Sequence, residues 1–181
     1  MFEKTARAIS LGLLVLIGLL PSIQAQMGGP ATSPPAKADC KFPDGRSFHI
    51  DYSSPRMRGR KIFGGLVPYG EVWRAGANEA TTFVIDADVN VGGKTVPHGP
   101  YTLFALPNPE TWTLIISKQT GEWGVPYPGE QDDFARMPMK VSKLPSPIEN
   151  FTIAFDQTSG VCTLRLEWET TRASVEIAEK R

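Results

Sequence analysis

Residues 82–117 read TFVIDADVNVGGKTVPHGPYTLFALPNPETWTLIIS, and this stretch decides the fold class. Its centre, Val89-Asn90-Val91, Gly92-Gly93, Lys94-Thr95-Val96, is a hairpin signature, because glycine takes the positive φ that a two-residue hairpin turn demands. Residues 82–87 before it form an apolar strand candidate. After it, Pro97-His98-Gly99-Pro100 turns the chain into 101–106, and Pro107-Asn108-Pro109 leads to 112–117. Short β segments punctuated by Gly and Pro are the pattern of an antiparallel all-β protein.

The same grammar extends outward. Phe48, Ile50 and Tyr52 alternate with His49 and Asp51, the period of a half-buried strand. Further strand candidates fall at 135–141, 150–155, 161–167 and 173–177. No apolar stripe of helical period occurs after residue 25, and 71–75 offers one short helical turn at most. The expected fold is an antiparallel β-sandwich, jelly-roll-like, or a flattened barrel of about 8–10 short strands.

Residues 1–25 have the layout of an export signal. Lys4 and Arg7 precede an apolar run from Ala8 to Leu20, which at roughly 13 residues is short of the 20 or so that span a bilayer. Pro21 ends the run, and Ala25 supplies the small residue for cleavage. A retained membrane anchor is the alternative. Cleavage after Ala25 leaves residues 26–37 as a flexible Pro/Gly-rich leader and 38–181 as a single all-β domain without a transmembrane span. The expected location is periplasmic or secreted.

Charge and cysteine content narrow the function classes. The chain carries 19 Lys+Arg against 19 Asp+Glu, with two His and two Cys. This balance speaks against a nucleic-acid partner, which usually selects a basic excess. Two Cys and two His are too few for a zinc-finger array or an iron–sulfur site. His49 and Asp51 share one strand face, but no third ligand follows at a recognisable spacing, so no metal and no cofactor are expected. Cys40 and Cys162 both lie beyond the signal, so export would bring them to an oxidising compartment. We expect a disulfide between them, worth about 5 kcal/mol on loop entropy alone; two separate buried thiols are the alternative.

Residues 51–82 concentrate the polar chemistry in a long irregular segment, and such segments are commonly functional. The run DYSSPRMRGRKIFGGLVPYGEVWRAGANEATTF, with GGKTVPHGPYTLFALP, WTLIIS, EWGVPY and LEWETTRASVEI, resembles the exported bacterial domain-of-unknown-function family 2911. The resemblance covers roughly residues 38–178 and centres on Trp73-Arg74-Ala75-Gly76-Ala77-Asn78-Glu79-Ala80-Thr81. It implies export but no particular reaction or ligand. Family members often carry Asn-Lys where this chain has Ser117-Lys118.

The candidate ligand-binding residues are Arg74, Asn78, Glu79, Arg60, Trp123 and Tyr127. A guanidinium grips carboxylates, phosphates or sugar hydroxyls through a planar fork, and Asn both donates and accepts. Glu79 acts as an acceptor, as a general base, or as an internal partner that pins the loop to Arg74. Arg56, Arg58, Arg60 and Lys61 place four cations in six residues, either an anion site or a solvated loop. Trp123 and Tyr127 flank Gly124 and Pro126 in a loop, where an aromatic face can dock a sugar; Trp112, in a strand with Leu114 and Ile116, reads as core. These features favour a non-catalytic envelope module for a small polar or anionic ligand or a carbohydrate. The alternatives are a structural partner in a cell-envelope complex, which would expose an apolar patch, or a hydrolase or isomerase using Glu79 or Asp51 as general acid or base.

Overall fold

The computed structural model describes residues 32–180; the expected signal, 1–25, and leader positions 26–31 lie outside them. Among the described residues, nine strands form one antiparallel sheet: β1 (Pro35–Lys41), β2 (Ser47–Ser53), β3 (Thr81–Ile85), β4 (Val89–Val91), β5 (Lys94–Val96), β6 (Gly99–Leu106), β7 (Thr111–Ser117), β8 (Asp133–Thr158) and β9 (Val161–Glu179). The hydrogen-bonded order is β1-β2-β3-β6-β7-β8-β9-β4-β5. The two ends do not meet, so the sheet is not a closed barrel. Residues Pro35 to Lys37, assigned from sequence to the leader, belong to β1.

Local sequence explains the elements. The β4–β5 hairpin turns at Gly92 and Gly93, with φ of 57° and 92°, a turn that most side chains resist. In β2, Phe48, Ile50 and Tyr52 are buried while Asp51 is exposed, as the alternation predicts. Residues 71–75 contain no helix; the single helical feature among the described residues is a 3-10 turn at Glu130–Asp132. β6 and β7 bury side chains on both faces. The segment 118–132 covers the second face, where Tyr127 stands edge-on to Phe104 with ring centroids 5.1 Å apart.

Two strands depart from the expected short segments. The candidates at 135–141 and 150–155 are one 26-residue strand, β8, and those at 161–167 and 173–177 are one 19-residue strand, β9. A strand so long cannot stay straight within a domain of this size, and it bends where the β8–β9 register shifts, between Lys143 and Ile148 and between Ile148 and Thr152. The first half of β8 pairs with β7. The second half forms a hairpin with the start of β9 that folds back over β1 and β2.

That fold-back closes the core. Phe155 packs edge-on to Phe48 at 5.2 Å, and Phe151 to Tyr52 at 5.7 Å. The Tyr52 hydroxyl accepts from the Ile153 N–H at 3.0 Å. A disulfide joins Cys40 on β1 to Cys162 on β9, with Cα atoms 6.4 Å apart. Trp73, Phe63, Trp112, Phe151 and Trp168 form an aromatic cluster, with Phe63 and Trp112 at 4.6 Å and Trp73 stacked on Trp168 at 6.0 Å. Trp112 is core, as its strand position implied. No helix among the described residues is long and apolar enough to cross a membrane.

Candidate functional site

The segment 54–80 is ordered by the sheet it crosses. The Trp73 N–H donates to the Ala105 carbonyl and the Ala105 N–H returns the bond, both at 2.8 Å, so the loop adds a rung to β6. The Met57 N–H donates to the Glu149 carbonyl at 2.7 Å, and the Ser54 hydroxyl to the Phe151 carbonyl at 2.6 Å. Between these ties, residues 57–60 make a tight turn closed by Arg60 N–H to the Met57 carbonyl at 3.1 Å. Its central residues, Arg58 and Gly59, have φ of 49° and 69°. Glycine is at ease there; an arginine is not, and side chains held in the left-handed region cluster at sites of use.

This turn, residues 66–77 and Val125 surround a cleft of about 450 Å³, within the range of small-molecule sites. Arg56, Arg58, Arg60 and Arg74 line it, along with Leu66, Val67, Pro68 and Val125; Trp73 and Trp168 contribute aromatic wall. Arg56 donates to the Ser54 hydroxyl at 2.9 Å, and Arg60 to the carbonyls of Met57 at 3.0 Å and Arg56 at 2.7 Å. These bonds fix the side chains without neutralising them. Glu71 is the one carboxylate among the described lining residues.

The charge balance is unusual for this protein. Arg46, Arg136, Arg165 and Arg172 each pair with a carboxylate. Among the described arginines, Arg56, Arg58, Arg60 and Arg74 have no carboxylate within ion-pair distance, and all four line the cleft.

Arg74 is tied to backbone rather than to Glu79. Its guanidinium donates to the carbonyls of Asn78 at 2.6 Å and Trp123 at 3.1 Å, and lies 5.8 Å from the Trp123 ring centroid. Burial lowers its pKa from the ordinary value, yet a guanidinium stays protonated at neutral pH. Gly124 lets the 121–126 loop press on this side chain, since a Cβ there would come within 3.1 Å of the Arg74 Cβ. The internal Arg74–Glu79 pair weighed from sequence does not form.

The other sequence candidates scatter. Asn78 donates to the Ser33 carbonyl at 3.1 Å and the Ser53 hydroxyl at 3.2 Å, a scaffold role outside the cleft. Glu79 lines a smaller hollow of about 200 Å³ that it shares with Asp51; Asp51 already faces His49 at 3.3 Å and Lys37 at 3.9 Å. Trp123 is exposed and lies beside Arg74. Tyr127 is engaged within the fold: its hydroxyl donates to Asp133 at 2.6 Å and accepts from Arg136 at 3.0 Å. Burial and the Asp133 carboxylate push this phenol up to about 12. Ser117 is buried, and its hydroxyl accepts from the Gln119 N–H at 3.3 Å.

Sequence reasoning reached the arginines but not the apolar wall. Leu66, Val67 and Pro68 look like ordinary loop residues, Val125 lies more than 50 positions from Arg74, and Trp168 lies on β9. Only the fold brings them to one cleft, and no local signal marks them.

Residues 33–177 match the family model described as a protein of unknown function, DUF2911. No curated protein and no solved structure matches the chain.

Proposed function

The chain belongs to the DUF2911 family, and from that premise we propose that it is an exported, non-catalytic binding module whose arginine-lined cleft holds a small anionic ligand. The observation that carries this reading is four guanidiniums around one cleft with no carboxylate partner among the described residues. Clustered like charges destabilise a fold unless something neutralises them, and a carboxylate or phosphate does so through paired N–H donors. The Cys40–Cys162 bridge supports an oxidising compartment, in keeping with the export expected from residues 1–25.

Binding is favoured over catalysis by the donor set. The described cleft residues offer hydrogen-bond donors and a single carboxylate, with no His or Cys to relay a proton. The enzyme reading through Asp51 and Glu79 retains one supporting observation, that both line the same small hollow. A carbohydrate would use the exposed Trp123 face.

A thermal-shift panel of organic anions, neutral sugars and cell-wall fragments tests the proposal. A ligand at 100 times its Kd stabilises by about 2.7 kcal/mol, a shift of several degrees. The expected result is stabilisation by anions that is lost in Arg58→Gln/Arg60→Gln and retained in Glu79→Gln. Stabilisation by neutral sugars alone, or by nothing in the panel, contradicts it.

A further inference from the structure

We infer that the ligand is an amphiphilic anion, a phosphate or carboxylate group carried on an apolar body; this rests on the reading of the cleft as an anion site. Four large hydrophobic side chains are exposed among the described residues: Leu66, Tyr69, Trp123 and Val125. All four lie on the two loop segments that bound the arginine cleft. Leu66 and Val125 line it directly, at 48% and 61% exposure, and Trp123 lies against Arg74.

Scattered exposed apolar residues need no explanation, but here Leu66 and Val125 share one cleft with four guanidiniums. That combination marks a contact surface. A bare inorganic anion would leave Leu66 and Val125 in water. A neutral apolar molecule would leave the guanidiniums without a counter-charge in a partly desolvated cleft. A molecule with both parts satisfies both walls. Burying two of its methylenes already gives roughly a tenfold gain in affinity. The same chemistry is offered by a soluble organic ester and by an anionic lipid headgroup with its adjoining chain.

The test compares inorganic phosphate, octyl phosphate below its micelle concentration and octyl glucoside by calorimetric titration of the purified protein. A co-sedimentation arm uses phosphatidylcholine vesicles with and without phosphatidylglycerol. Octyl phosphate is expected to bind at least about tenfold more tightly than inorganic phosphate. Leu66→Ser/Val125→Ser should bring the ratio of octyl phosphate to inorganic phosphate affinity down toward one; both positions are exposed, and circular dichroism confirms that the variant folds. Arg58→Gln/Arg60→Gln should weaken both anions by about tenfold or more. Co-sedimentation that needs phosphatidylglycerol and the two arginines supports the same chemistry and names a lipid as the source.

Equal affinity for octyl phosphate and inorganic phosphate, both sensitive to the arginines, overturns this inference and leaves the anion site standing. Octyl glucoside bound as tightly as octyl phosphate, with no effect of the arginine variants, overturns both. So does binding of no probe and no vesicle.

Discussion

Arg58 and Arg74 put guanidiniums into the same cleft by opposite means. Arg74 is part of the scaffold, since its side chain bridges the carbonyls of Asn78 and Trp123 and joins two loops. Arg74→Ala should therefore lower stability by about 1.5–3 kcal/mol, the range for hydrogen bonds to a charged group, read as a fall in the urea midpoint. Arg58 is exposed and held at φ 49°. Arg58→Gly should relieve that backbone and raise stability by up to about 1 kcal/mol, while weakening anion binding. A mutation that stabilises the fold and impairs the ligand would identify this turn as built for contact. At this scale the sequence displayed the cations openly. It did not display that they lack acidic partners among the described residues, because ion pairs such as Arg165 with Asp156 and Glu167 depend on which strands become neighbours.

Among the elements, the β8–β9 hairpin gives the sheet its second layer. Pro145 and Pro147 lie between the strand candidates at 135–141 and 150–155. In the structure they fall where the β8–β9 register is broken between Lys143 and Ile148, so neither removes a ladder hydrogen bond there. The β4–β5 hairpin was legible because its chemistry is local: two glycines between alternating apolar residues. The continuity of β8 was not, because bending a strand through a bulge is decided by what it wraps. Cys40–Cys162 fastens this hairpin to β1 across 122 positions. Replacing both cysteines by Ala should cost up to about 5 kcal/mol on the loop-entropy account. Urea unfolding of that variant beside the reduced and oxidised wild type checks it; an unchanged midpoint would show that packing alone holds the hairpin.

For the whole molecule, the far end of the sheet supplies a pH dependence separate from the cleft. Asp88 accepts from the His98 N–H at 3.0 Å, from Lys180 at 3.1 Å and from the His98 ring at 3.2 Å. These bonds hold its carboxyl at about 2, below the ordinary 3.8. The folded value lies below the unfolded one, so this contribution is complete above about pH 4 and is lost as pH falls through about 2. Asp88→Asn should flatten the decline in melting temperature across that window and leave anion binding at pH 7 unchanged. The cleft shows the opposite charge relation, cations awaiting a counter-ion, and arginine side-chain NMR reads their response to one. With ¹⁵N-labelled arginine, titration with octyl phosphate should move the Nε–Hε signals of Arg58, Arg60 and Arg74 along saturable curves with one common Kd. Arg136, Arg165 and Arg172, already paired with carboxylates, should stay in place. Small, non-saturating shifts spread over all the arginines would contradict the claim and return the cleft to the status of a solvated surface.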